Sequence, residues 1–272
     1  MVATRLNIGF IGAGNMGEAL LAGLIRTGHP AETLGFAESN PERAQALQQH
    51  YPGLQQRDAL ELTADSATLV LAVKPQTLPN LAPVLSPAVQ HHQPLIISVA
   101  AGVSCQRLAG WLGQGIRLIR AMPNTPALIS AGMTGLFATP QATTEDRATA
   151  NTLFAAVGQC LWLDDEDHLH AVTATSGSGP AYVFLLLEAM QTAAQNLGLT
   201  PDVARQLSLQ TVLGAAQLAQ ASATAPEKLR AQVTSPGGTT ERAIQHLQEG
   251  QFTQLMHTAM AAAAQRSREL AD

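Results

Sequence analysis

The six residues GAGNMG at positions 12–17 constrain this chain more than any other stretch. They follow LNIGFI (Leu6–Ile11), an apolar run of buried-strand type, and precede EALLAGLIRTG, whose helical periodicity runs out at Gly28. Strand, glycine turn and helix in that order make the first half of a βαβ unit. The three glycines then serve different ends, since Gly12 takes the tight turn, Gly14 lets a pyrophosphate approach the backbone, and Gly17 lets the helix pack on the sheet. Ile11, Ala13, Asn15 and Met16 share the loop, so residues 11–17 are expected to hold a dinucleotide at a helix N-terminus.

Further strand candidates alternate with helical segments: TLGFAES (33–39), ATLVLAV (67–73), PLIISVA (94–100) and IRLIRAM (116–122). That alternation predicts an α/β fold with a parallel, doubly wound sheet, a Rossmann domain over residues 1–164. GMTGLFAT and CLWLDD would extend the sheet edge. From 165 to 272 almost nothing reads as a strand, and a C-terminal all-helical domain is expected. Its segment AYVFLLLEAMQTAAQNLG is apolar around too much of its circumference for a one-sided surface helix, which predicts burial against a second subunit. The Ala-rich tail AMAAAAQRSREL reads as a final helix.

Other strand ends carry further candidates for the dinucleotide. In an open α/β sheet, ligands lie beyond the carboxyl ends of the strands. AVKPQ offers Ala72, Val73, Lys74 and Pro75; SVAAG offers Val99, Ala100, Ala101 and Gly102, small enough for a ribose and nicotinamide to lie on the backbone. Asn124 in RAMPNTP either reaches the nicotinamide or the substrate, or serves turn chemistry. At the end of the second strand, Glu38 stands where an acid binds the ribose 2′-OH of NAD, whereas Ser39, Asn40 and Arg43 are what a 2′-phosphate wants. Ser39 and Asn40 also suit a helix cap before Pro41. NADPH and NADH both stay open on these residues.

Composition removes several function classes. A formal net charge of −5 without a basic cluster argues against a nucleic-acid surface. Cys105 and Cys160 lie far apart, without partners at ligand spacing, and read as free thiols of a reducing compartment. The N-terminal apolar run leads straight into the glycine turn rather than a cleavage site, and no apolar stretch is long enough to span a membrane; a cytoplasmic protein is expected. His168 and His170 in DDEDHLH do not share a helix face, so no metal is expected.

Alcohol chemistry at a nicotinamide calls for a proton-transfer group or zinc. The chain has two lysines, Lys74 in the cofactor half and Lys228 on a helix face of exposed type. The second domain instead offers two glycine and hydroxyl motifs, SGSGPAY (176–182) and TSPGGTT (234–240). The latter has glycines followed by a helix start, a place that suits a small anion, phosphate or carboxylate. A C=N bond protonated near neutral pH needs a positioned hydride and a partner for its nitrogen, which points to imine reduction.

Through GFIGAGNMGEAL, LAVKPQ, SVAAGV, RAMPNTP, AVTATSGSGPAYVF and VTSPGGTTERAI the chain resembles the pyrroline-5-carboxylate reductase family nearly end to end. The resemblance implies a Rossmann domain, a helical domain that interleaves with a partner's to form a dimer, and often a ring of dimers. It implies NADPH, less often NADH, reducing 1-pyrroline-5-carboxylate to L-proline. Carried over by residue, Ser235, Gly237, Gly238 and Thr239 would hold the substrate carboxylate and Thr240 would hydrogen-bond the imine nitrogen. Ser176 and Ser178 would line the same pocket; alternatively Ser178, Gly179 and Pro180 allow a kink. Glu38 departs from the NADPH preference that the resemblance implies. The β-hydroxyacid dehydrogenases share the domain plan but would need a lysine facing the nicotinamide from the second domain, where Lys228 is available.

Overall fold

The computed structural model describes residues 6–271; the two domain ranges also take in Met1–Arg5 and Asp272, which lie outside the described residues. Eight strands form one sheet: β1 (Leu6–Ile11), β2 (Leu34–Ala37), β3 (Gln55–Gln56), β4 (Ser66–Leu71), β5 (Leu95–Ser98), β6 (Leu118–Met122), β7 (Gly132–Ala138) and β8 (Gly158–Trp162). Their order is β3-β2-β1-β4-β5-β6-β7-β8, with β1 to β6 parallel. Chain order reverses between β1 and β4, and the crevice beyond their carboxyl ends is where such a sheet takes a ligand.

Alternate residues of each strand enter opposite cores. Phe10, Val70, Ile97 and Ile119 join one cluster with Leu20, Leu21, Leu24 and Phe154, while Ile11, Leu71, Ile96 and Leu118 join the other with Leu85 and Leu108. Period-two side chains buried on both faces account for the continuous apolar runs.

Three features correct the sequence reading. The sheet is not wholly parallel, since β7 runs antiparallel to β6 and β8 follows β7. The connection from Met122 to Gly132 carries one short 3₁₀ helix, Thr125–Ile129, and is too short for a parallel crossover. Secondly, β3 is an unforeseen strand, two polar residues long. Thirdly, the strands are shorter than their apolar runs: β2 stops at Ala37, β4 at Leu71, β5 at Ser98 and β8 at Trp162, and β6 starts at Leu118. Glu38, Ala72, Val73, Val99 and Ala100 thereby fall in the loops that face the crevice.

Compactness divides the chain into one unit of residues 1–178 with 263–272 and another of Gly179–Ala262. The change of texture at residue 165 lies inside the first unit. Helices Gly179–Asn196, Pro201–Ala221, Pro226–Gln232 and Thr239–Glu249 belong to the second, and helix Phe252–Glu269 passes from the second back into the first. In helix Gly179–Asn196 no residue is buried, despite its apolar sequence. No described helix is long and apolar enough to cross a membrane.

Candidate active site

The glycine loop closes the crevice as its sequence requires. Gly12 has φ of 87°, and a Cβ there would meet the Ala72 carbonyl oxygen at 2.8 Å; a Cβ on Gly17 would meet the Gly12 carbonyl oxygen at 2.4 Å. A Cβ on Gly14 would meet nothing within 4 Å, because that side of the loop is open. Gly14 is also the N-cap of helix Asn15–Arg26, whose first turn has no side-chain cap. Unpaired amides facing open space at a helix start form a site for pyrophosphate, and the residues fit that group.

The cavity there measures about 670 Å³ and is lined by Ile11, Gly12 and Gly14 of the glycine loop, by Ala72, Val73 and Lys74 after β4, and by Glu38, Ser39, Asn40 and Arg43 after β2. Glu38 is held in place on both of its oxygens. Its Oε2 accepts from the Ala13 N–H at 3.0 Å, while Oε1 accepts from the Asn40 N–H at 2.9 Å and the Ser39 hydroxyl at 3.4 Å. Partial burial raises the pKa of its carboxyl, and the hydrogen bonds from Asn40, Ala13 and Ser39 outweigh that and hold it below the usual carboxylate range. Asn40 caps helix Pro41–His50 by accepting from the Arg43 N–H at 3.1 Å. Arg43 donates through Nε to the Ala13 carbonyl and through Nη2 to Glu18 at 2.8 Å. Asn40 is therefore a cap, and Arg43 braces the loop.

Val99, Ala101 and the buried Ala100 and Gly102 follow β5. Gly102 has φ of 72°, and a Cβ there would meet Leu270 Cβ at 2.9 Å. Asn124 ties elements together: its Oδ1 accepts from the Met133 N–H at 2.8 Å, and its Nδ2 donates to the Ser176 carbonyl at 2.9 Å. One amide proton remains for a ligand. Ser176 belongs to a π-helical turn, Thr173–Gly177, closed by the Ser178 N–H on the Thr173 carbonyl at 2.7 Å. Its Oγ donates to the Val172 carbonyl at 3.2 Å. A Cβ on Gly177 would meet Met122 Cε at 2.6 Å, so close packing accounts for that glycine. Such widened turns recur at functional sites.

In the second unit, residues 235–238 turn into helix Thr239–Glu249, which starts with Thr239 and Thr240. Gly237 has φ of 71°, the Gly238 N–H donates to the Ser235 carbonyl at 3.0 Å, and the Gly237 N–H donates to Glu241 Oε2 at 2.8 Å. Gly238 is an N-cap without a side-chain bond, leaving the amides of Thr239 and Thr240 directed outward beside exposed hydroxyls. Lys228 lies on the short helix Pro226–Gln232 and is exposed.

His170 is buried, with Nδ1 at 2.8 Å from Ser267 Oγ, whereas His168 is exposed. Among the described residues no three His, Cys, Asp or Glu side chains gather as for a metal. Sequence reasoning missed Arg57, which lines the cavity just after β3. A two-residue polar strand gave no periodicity by which to find it.

Comparison with known proteins agrees with this plan. Residues 166–270 match the family model for pyrroline-5-carboxylate reductase dimerisation, and residues 7–102 match that for NADP oxidoreductase, coenzyme F420-dependent. The chain is 46% identical to a pyrroline-5-carboxylate reductase of Pseudomonas aeruginosa over 97% of both chains, and 39% identical to that of Pisum sativum over 99% of this chain and 98% of the other. A solved pyrroline-5-carboxylate reductase from Coxiella burnetii superposes with a TM-score of 0.93 at 38% identity, covering 98% of this chain and 99% of that one. The Plasmodium falciparum enzyme, solved with NADP bound, gives 0.88 at 26% identity and 99% of each chain.

Proposed function

The chain belongs to the pyrroline-5-carboxylate reductase family, and from that premise we propose how its residues reduce the C=N bond of 1-pyrroline-5-carboxylate to L-proline. The observation that carries the reading is the presence on one chain of an open glycine-loop cavity and an exposed, uncapped anion nest without a lysine, histidine or arginine among Ser235–Thr240. NADPH is the cofactor, and when bound it supplies the hydride; NADH is the alternative donor.

Gly12, Gly14 and Gly17 admit the pyrophosphate onto the N-terminus of helix Asn15–Arg26, and Ile11, Ala13, Asn15 and Met16 complete that loop. Lys74 and Pro75 follow the end of β4, and Ala100 and Ala101 offer a flat, small-residue bed beyond β5. Ser235, Gly237, Gly238 and Thr239 form the site for the substrate carboxylate: the helix-start amides from Thr239 on and the Ser235 and Thr239 hydroxyls donate to it, while the two glycines, whose own N–H groups go to Glu241 and the Ser235 carbonyl, shape the turn that leaves room for the anion. Thr240 Oγ1 accepts from the protonated imine nitrogen, keeping that proton in place while the amine forms. The catalytic demand is thus for position and charge rather than for a general acid. Ser176 and Ser178 are assigned to substrate binding through their hydroxyls.

Residues 166–270 match a dimerisation model, so the functional form is a homo-oligomer. A ring of dimers and a cytoplasmic setting are part of the proposal, the latter supported by free Cys105 and Cys160. Burial, then the neighbouring Glu166 carboxylate, pushes the Cys105 thiol up and keeps it protonated.

Nicotinamide absorbance followed on addition of 1-pyrroline-5-carboxylate tests the reading. Oxidation of NADPH matched by proline formation is expected. A folded protein that binds NADPH and leaves this imine unreduced would overturn it.

A further inference from the structure

Dinucleotides differ at the ribose 2′ position, and the groups at that end of the cavity are unequally free. Both oxygens of Glu38 are taken by backbone N–H groups, Asn40 caps a helix, and Arg43 is bound to Ala13 and Glu18. Arg57 is different. β3 pairs outside β2 with Gln56 opposite Phe36, and the Arg57 N–H donates to the Phe36 carbonyl at 3.1 Å. Arg57 therefore leaves the sheet level with Ala37, beside the strand end that faces a bound ribose.

Arg57 lines the cavity, and its guanidinium donates through Nη1 to Asp65. Among the described residues it makes no other side-chain hydrogen bond, so most of its five donors remain available. The side chains of Arg57 and Asp65 are 19% and 33% exposed, which leaves the guanidinium held at one edge yet reachable. A partly solvated ion pair is weak, so sharing the guanidinium with a second anion costs little.

We propose that Arg57 is the residue by which this chain tells a 2′-phosphate from a 2′-hydroxyl, with Asp65 positioning it. A planar guanidinium meets a phosphate through paired, charge-assisted hydrogen bonds that a hydroxyl does not offer. Glu38, whose oxygens already accept from Ala13, Ser39 and Asn40, is held in place by the glycine loop and the helix start. The proposal rests on reading the cavity as a dinucleotide site.

Calorimetric titration of adenosine 2′,5′-bisphosphate and 5′-AMP into the wild-type protein, Arg57→Gln and Arg57→Lys tests it without turnover. Affinity for the bisphosphate should fall about tenfold in Arg57→Gln, with 5′-AMP affinity kept and Arg57→Lys falling in between. The ratio of kcat/KM for NADPH to that for NADH should fall by a similar factor. Equal losses for both nucleotides would make Arg57 an adenine-stacking or structural residue and overturn the proposal. So would unchanged bisphosphate binding. If neither nucleotide binds the wild-type protein, the dinucleotide reading of the cavity falls as well; if both bind wild type and Arg57→Gln alike, the proposal falls by itself.

Discussion

The two units treat their apolar residues in opposite ways. In the first, Phe10, Phe36 and Phe154 are fully buried; in the second, Phe184 is 57% and Leu185 66% exposed, although both lie in a well-formed helix. The central parallel strands β4, β5 and β6 are covered on both faces, so their apolar residues find neighbours within their own unit. Helix Gly179–Asn196 has an apolar surface wider than its own unit covers, and it lies within residues 166–270, which match a family model for dimerisation.

The largest expected effect breaks that contrast at the uncovered helix. Replacing Phe184 and Leu185 together by Glu should dissociate the oligomer and abolish turnover while dinucleotide binding by the first unit persists. Light scattering and a nucleotide titration on the same sample check this, and an intact oligomer would mean that the helix has another cover. Such central apolar anchors are each worth about 2 kcal/mol or more at an interface.

A matched pair of truncations sharpens it. Phe154→Ala should cost about 3–5 kcal/mol at any protein concentration, because it opens a cavity in a closed core. The melting temperature of Phe184→Ala should instead vary with protein concentration, as association is linked to folding. Thermal scans across a wide dilution series distinguish the two, and identical concentration dependence would refute the division of labour.

At the proposed reaction centre, Thr240→Val should lower kcat by about ten- to a hundredfold, the worth of a hydrogen bond to a charged group, with the NADPH dissociation constant unchanged. Steady-state kinetics beside fluorescence titration measure both, and unaltered kcat would remove Thr240 from the chemistry.

The smallest effect concerns acid. The carboxyl of Glu38 titrates lower when folded than unfolded, so its stabilisation is full above the unfolded value and is lost as pH falls through the folded one. Glu38→Gln should therefore narrow the stability difference between neutral and acid pH slightly, as seen in urea midpoints at about pH 7 and below about pH 4. A larger acid loss than in the wild type would contradict that role.

Much of the first unit was legible because its signals are local. Gly12 and Gly17 are demanded by close backbone approaches around the loop, and the βαβ order follows from alternating apolar runs. Asn40 was legible as a cap from the Pro41 that follows it. The reversal of β7 was less so, since strand direction depends on how far a short connection can reach. Arg57 escaped because β3 is defined by the edge of β2 rather than by any pattern of its own. Glu38 was legible by its position at the end of the second strand, but its hydrogen bond from the Ala13 N–H, 25 positions away in the chain, was not.

The sequence by itself determined the glycine loop, the helix starts and the mismatch between an apolar helix and a small unit, because each depends on φ freedom, spacing or composition along the chain. Tertiary structure alone decided which oxygen of Glu38 meets which amide and that Arg57 stands beside the end of β2. Those facts depend on strand order and register, which bring together residues that no local pattern connects.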